Sequence, residues 1–218
     1  MSVKLQLALD TLEREHALKL AALAAPYVDI LEAGTPLIKS VGIRIVSDLK
    51  KAHPDKIILA DMKSSNVGAY EAQMAFENGA DTVTTQGITT LATIREEQKE
   101  AHKWGRRAEV DMTGVADPLS RAEQVMQVGV NLVLYHRSID EETTQGVAWN
   151  EKACQTVEEL CTMGLDVAVA GGINADIIPM LWDAPLYAIV VGRGITAQDD
   201  PACAARAIAG KIRQTWPD

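Results

Sequence analysis

Eight short apolar runs recur along the chain, at 5–9, 28–31, 57–60, 82–85, 108–112, 132–135, 167–170 and 188–191, with starts 21 to 35 residues apart. Short, continuous runs suit strands buried on both faces, because a half-exposed strand would alternate apolar with polar residues. Between the runs lie segments with helical periodicity, at 12–25, 41–51, 71–78, 88–104, 118–128, 150–163 and 199–216. In the second of these, Ile43, Val46 and Leu49 share one side while Arg44, Asp48 and Lys51 fall elsewhere. Eight strands alternating with helices predict an α/β chain folded as a (β/α)8 TIM barrel. A doubly wound open sheet is the rival, but it normally has fewer repeats and a glycine-rich turn after its first strand. Here that strand runs into Asp10-Thr11-Leu12-Glu13, which contains no glycine. A length of 218 residues is near the small end for a barrel, so the expectation is one domain spanning 1–218.

In such a barrel the carboxyl ends of the strands form the active face. The polar residues at those ends are Asp10, Glu32, Asp61 with Lys63, Gln86, Asp111 with Thr113, and His136 with Arg137. The glycine pairs Gly171-Gly172 and Gly192-Arg193-Gly194 follow. The run Ile57-Ile58-Leu59-Ala60 ends in Asp61, and the two-residue repeat of a strand points Lys63 the same way. One reading of that pair is a structural ion pair; the other is a site.

Glu32 and Asp61 lie on successive strands, so both carboxylates can reach one divalent cation. Hard oxygen ligands that leave open positions suit Mg²⁺ completed by substrate and water. The competing reading is that either carboxylate simply holds Lys63. Beside a metal, Lys63 can stabilise an oxyanion developing on a substrate. Schiff-base chemistry is disfavoured, because flanking carboxylates keep the ammonium protonated. His136 is the one histidine of four at a strand end, placed for general acid or base work; His16, His53 and His102 fall in charged helical surroundings. Paired glycines after the last two strands let backbone N–H groups close on a phosphate, and Arg193 adds a fork for two phosphate oxygens. The residues alone therefore indicate a metal-assisted lyase, aldolase or isomerase acting on a sugar phosphate.

A formal charge of -9 and a pI near 5.0 argue against nucleic acid as a partner. With neither an 18-residue apolar span nor a charged-then-apolar leader, the expectation is a soluble, cytoplasmic chain with no membrane segment. Cys154, Cys161 and Cys203 have no metal-type spacing and suit free thiols in a reducing compartment.

Taken in order, Leu5-Gln6-Leu7-Ala8-Leu9-Asp10, Val28-Asp29-Ile30-Leu31-Glu32-Ala33-Gly34-Thr35, Leu59-Ala60-Asp61-Met62-Lys63, Tyr135-His136-Arg137-Ser138 and Ala170-Gly171-Gly172-Ile173 carry a resemblance. The chain resembles the orotidine monophosphate decarboxylase suprafamily, and within it the 3-keto-L-gulonate 6-phosphate decarboxylases and 3-hexulose 6-phosphate synthases. The resemblance implies a Mg²⁺-stabilised 1,2-enediolate on a ketose phosphate. It makes Glu32 and Asp61 metal ligands, Lys63 the enediolate stabiliser, Asp10 a substrate contact and His136 the proton-transfer residue. It also implies a homodimer whose active site lies at the subunit interface, since the second Asp of the family's Asp-x-Lys-x-x-Asp motif reaches into the neighbouring site.

Asn66 stands where that second Asp would be, and Asp111 where the decarboxylases carry Glu and the synthases Asp. Ile139 replaces the arginine that helps the decarboxylases protonate the enediolate, and Ala170 is synthase-like. Tyr135-His136-Arg137-Ser138, Gly146-Val147-Ala148-Trp149 and Arg193 look like the decarboxylases. Decarboxylation of a 3-keto-L-gulonate 6-phosphate-like substrate is the first expectation. Aldol condensation of formaldehyde with ribulose 5-phosphate is the alternative, and a non-catalytic sugar-phosphate binder is the third.

Overall fold

In the computed structural model, which describes residues 2–146 and 148–217, strands β1 (Lys4–Leu9), β2 (Ile30–Ala33), β3 (Ile57–Ser64), β4 (Thr82–Gln86), β5 (Arg107–Asp111), β6 (Leu132–His136), β7 (Asp166–Ala170) and β8 (Ala188–Val191) pair in chain order. Every pairing is parallel, and β8 returns to β1 with Leu5 beside Ile189 and Leu7 beside Val191, closing a (β/α)8 barrel. Val147 of the Gly146–Trp149 stretch lies outside the described residues.

Strand alternation sorts each run into two faces. Leu5, Leu7, Leu31, Ile58, Val83, Val110, Val133, Val167 and Ile189 face outward into a layer shared with the helices. The interior is filled by smaller groups, with Ala8, Ile30, Leu59, Leu134, Ala168, Ala170, Ala188 and Val190 in contact. Gln6 on β1, Thr82 and Thr84 on β4 and Glu109 on β5 take further buried places, so both faces of each strand are dry although these three runs alternate with polar residues.

The helices are α1 (Arg14–Ala24), α2 (Thr35–Val41), α3 (Arg44–Ala52), α4 (Gly68–Glu77), α5 (Leu91–Trp104), α6 (Pro118–Met126), α7 (Ile139–Gln145), α8 (Glu151–Thr162), α9 (Arg193–Thr196) and α10 (Pro201–Thr215). Side-chain caps set several starts: Thr90, Asp117, Asn150 and Asp200 each accept from the amide three residues on. Three details depart from the sequence expectation. The segment at 41–51 is α3, which begins only at Arg44, and a separate helix, α2, precedes it: Pro36 favours a start at Thr35, and Gly42, at φ 85, ends α2. The short α7 carries little apolar periodicity. Between β7 and β8 there is a 3-10 turn, Ile178–Leu181, in place of an α-helix. Among the described residues, no helix is long and apolar enough to cross a membrane.

Candidate active site

The site is built around the end of β3. Pairing between β3 and β4 is regular to Ala60 and resumes at Ser64, and within this irregularity Lys63 adopts φ 47. A left-handed backbone costs a non-glycine residue about 1–2 kcal/mol, and such strain persists where the surroundings impose it. Thr84 Oγ1 accepts from the Lys63 amide at 2.9 Å and donates to Asp61 Oδ1 at 2.7 Å. One hydroxyl on β4 thus ties the irregular backbone to the carboxylate two residues earlier.

Lys63 Nζ lies 3.1 Å from Asp61 Oδ1 and 2.5 Å from Asp111 Oδ2. Burial opposes its charge, but Asp61, Asp111 and the bond to Asp111 outweigh that and push its pKa well above the ordinary lysine value. Lys63 is therefore held as a cation, which disfavours nucleophilic use.

Asp111, 1% exposed, is bonded on both oxygens. Oδ2 takes Lys63 and the His136 Nδ1 at 3.0 Å; Oδ1 takes the Thr113 amide at 2.8 Å and its hydroxyl at 2.6 Å. Burial alone would raise its pKa. The His136 hydrogen bond and charge, followed by Lys63, reverse this and hold the carboxyl far below its usual range. A carboxylate on Nδ1 holds the ring proton there and leaves Nε2 free to exchange a proton with substrate.

Glu32 and Asp61 meet the same mouth from β2 and β3. Asp61 Oδ2 lies 2.7 Å from the Thr35 hydroxyl, and Glu32 Oε2 accepts from Gln6 Nε2 at 2.6 Å. Burial, then the charges of Asp61 and Asp10, push the Glu32 pKa well above the ordinary carboxyl value. Asp10 stands exposed at the rim, its pKa raised by desolvation and by Asp61 and pulled back by Lys63, His136 and Arg193. Carboxylates crowded this way carry more negative charge than Lys63 offsets, which is the environment a divalent cation relieves. Among the described residues no three His, Cys, Asp or Glu side chains form a metal cage. Two carboxylates do fit Mg²⁺, which keeps much of its shell for water and substrate oxygens.

Glycines make the rim. A Cβ on Gly34 would run into Asp10 and sit 2.7 Å from the Leu9 carbonyl, so Asp10 keeps its place only against glycine. Gly171 and Gly172 have φ 94 and 63, and a Cβ on Gly171 would strike the Arg137 backbone. The Gly171 carbonyl accepts from Trp149 Nε1 at 2.7 Å, and the Arg137 guanidinium lies over that indole ring at 5.4 Å. Gly192 and Arg193, after the end of β8 and at the start of α9, adjoin Asp10, the residue that follows β1.

Asn66 is not drawn into this cluster. It is exposed and lines a groove of about 380 Å³ with Val67, Tyr70, Thr93 and Glu96.

Residue-by-residue reading missed Thr35, Thr84 and Glu109. Glu109 sits two residues before Asp111 on β5, so strand alternation turns it into the barrel, a signal present in the sequence. It is 1% exposed, and neither carboxylate oxygen has a hydrogen-bond partner. Burial, then Asp111 and Asp61, push its pKa to about 8. The folded state thus holds a proton that the unfolded chain gives up near pH 4.5. The cost of burying Glu109 is therefore smallest below that pH, grows as pH rises and levels off above about 8. Glu109→Met should raise stability by about 1–3 kcal/mol, more at pH 8 than at pH 5. Urea unfolding at the two pH values checks this, and equal or lower stability of the variant at pH 8 counts against it.

A family model described as "Orotidine 5'-phosphate decarboxylase / HUMPS family" matches residues 3–208. The chain is 38% identical over 216 residues to the 3-hexulose-6-phosphate synthase of Mycobacterium gastri, covering 96% of this chain and 100% of that one. It is 34% identical over 212 residues to the 3-keto-L-gulonate-6-phosphate decarboxylase of Salmonella typhi, covering 97% of each. A crystal structure of KGPDC from Streptococcus mutans superposes with a TM-score of 0.94 at 32% identity, over 98% of this chain and 99% of that one.

Proposed function

The chain belongs to the orotidine 5'-phosphate decarboxylase / HUMPS family, and from that premise we propose that it is a sugar-phosphate lyase working through a 1,2-enediolate of a ketose phosphate. The observation that carries this reading is the chain Asp61–Lys63–Asp111–His136. It sets a permanent cation and a proton-transfer imidazole on one shared carboxylate. A cation fixed beside two adjacent substrate oxygens stabilises an enediolate far more than it stabilises the neutral ketone, which is the condition for lowering the barrier. His136 Nε2 moves the proton at carbon. Asp10 contacts the substrate, and the glycine loops after β7 and β8, with Arg193, hold the phosphate.

Glu32 and Asp61 are the residues that would hold Mg²⁺, which when bound would supply Lewis-acid charge to the developing oxyanion. EDTA should lower activity at least about tenfold and Mg²⁺ restore it; activity untouched by chelation removes the metal assignment.

Two reactions share this intermediate. Aldol addition is favoured by Asp111 and by Ile139, which is exposed at the start of α7 where the decarboxylase pattern has its protonating arginine. In that reaction His136 takes a proton from C1 of ribulose 5-phosphate, C1 forms a bond to formaldehyde, and the new alkoxide takes up a proton. Decarboxylation of a 3-keto-L-gulonate 6-phosphate-like substrate is favoured by Tyr135-His136-Arg137-Ser138 and by the Trp149–Gly171 contact behind the phosphate loop. There the C–C bond to CO₂ breaks first and His136 returns a proton to carbon. Formaldehyde consumed with ribulose 5-phosphate, compared with CO₂ released from the keto-gulonate phosphate, separates the two. If neither rate exceeds that of Lys63→Ala, both are wrong, and phosphate-dependent thermal stabilisation without turnover supports a binder.

The exposed Val67, Tyr70 and Ile88 support a homodimer through the face that carries Asn66. On that reading Asn66→Asp extends a carboxylate to a partner's site and should raise kcat/KM for one of the two substrates about tenfold. No gain on either means the site is tuned to a substrate that wants the amide.

A further inference from the structure

Behind the β3 loop lies a second buried acid that the chemistry above does not use. Glu97, on α5, is fully buried under the ends of β3 and β4 and the first turn of α4. Thr85 Oγ1 donates to its Oε1. The Ser64 hydroxyl adjoins the carboxyl, yet neither Ser64 Oγ nor Glu97 Oε2 completes a hydrogen bond. Packing is tight here: a Cβ on Gly68 would lie 3.1 Å from Glu97 Cβ and 2.5 Å from the Thr93 carbonyl.

The stretch resting on Glu97 is under strain. Lys63 and Val67, at φ 47 and φ 49, are the non-glycine residues in the left-handed region among those described. For β-branched Val67 that conformation is a true outlier, so the surroundings must hold it. Ser64, between the two, is 1% exposed and is the residue that meets Glu97.

We propose that Glu97, as a neutral acid, is a positioning residue for the active site, its proton bridging to Ser64 and so holding Lys63 and the Asn66 loop in their strained shape. A protonated carboxyl has one donor and spare acceptors, which match a hydroxyl on each side. A carboxylate would need a cation, and the charged group acting on it from the packed elements is another acid, Glu71 on α4. Toward it β3 and β4 present the hydroxyls of Ser64 and Thr85. Burial first, with Glu71 adding, pushes the pKa to about 8 against those two hydroxyls. Above that pH the loop loses its anchor and Lys63 its fixed place between the carboxylates.

The activity consequence rests on the enediolate reading; the structural one does not. Hydrogen exchange of the amides in 61–70, corrected for the intrinsic base-catalysed rate, is followed from about pH 6.5 to about pH 9.5. Wild type should lose about tenfold protection with a midpoint near 8, while Glu97→Gln keeps its protection throughout. Thr85→Val, which removes a bond favouring the anion, should move the midpoint upward, and this arm decides if Glu97→Gln does not fold. Identical pH responses in wild type and Glu97→Gln, no loss in wild type, or an unmoved midpoint in Thr85→Val would each overturn the proposal. If the protein turns over a ketose phosphate, Glu97→Gln should keep neutral-pH kcat and lose the alkaline decline. If it turns over none, the function reading fails and the exchange result still stands.

Discussion

Lys63→Ala is expected to lower kcat by about 10³-fold while leaving the fold in place, with a smaller effect on KM. The magnitude follows from where the charge sits. A fixed ammonium in a partly dry site contributes several kcal/mol to an oxyanion that exists only after the C–H or C–C bond has broken. Its two partners, Asp61 and Asp111, are 5% and 1% exposed. Deleting the cation leaves both carboxylates uncompensated, so stability should fall by about 3–5 kcal/mol. Steady-state kinetics with either substrate and urea unfolding read the two effects. Full activity in Lys63→Ala would show that Lys63 is only structural glue.

Asp111→Asn has the second largest expected effect, a loss of about 10²–10⁴-fold in kcat. The amide nearly preserves shape but cannot satisfy Lys63 and the His136 Nδ1–H with negative charge on one oxygen, as Asp111 does at 2.5 and 3.0 Å. It also frees the imidazole to place its proton on Nε2, the nitrogen that has to be bare to accept one. Asp111→Ala should lose at least as much as Asp111→Asn. A pH–rate profile for Asp111→Asn that overlays wild type would deny Asp111 its hold on His136.

Much of this was legible in the sequence, for a physical reason. A strand buried on both faces is mostly apolar until it reaches the rim, so Asp61 and His136 announced themselves as the first acidic or basic residues after apolar runs, and Asp111 as the last acid before β5 ends. Gly171 and Gly172 were legible because left-handed backbone at a close approach leaves few alternatives. The matched family model and the relatives agree with the family read from the ordered motifs.

What was not legible lay inside the barrel or depended on strain. Glu109 was hidden in a run that reads as apolar, because a protonated buried acid behaves as a neutral group. Thr35 and Thr84 are ordinary strand and helix-start residues until their hydroxyls are seen on Asp61. The Lys63 conformation is set by contacts from β4 and β5, and no propensity encodes it. Helix α2 was missed because its seven residues, Thr35–Val41, are too few to show a helical period, and the 3-10 turn at Ile178–Leu181 because the alternation of the other repeats stood in for a periodic segment there.

The central claim is that this site forms an enediolate, whatever the second reactant. Exchange of the C1 proton of ribulose 5-phosphate with D₂O, followed by NMR with neither formaldehyde nor keto acid present, tests that step alone. Wild type should show enzyme-dependent loss of one C1 proton signal, with exchange about 10³-fold slower in Lys63→Ala. Wild-type exchange no faster than that of Lys63→Ala, in the presence of Mg²⁺, would contradict it.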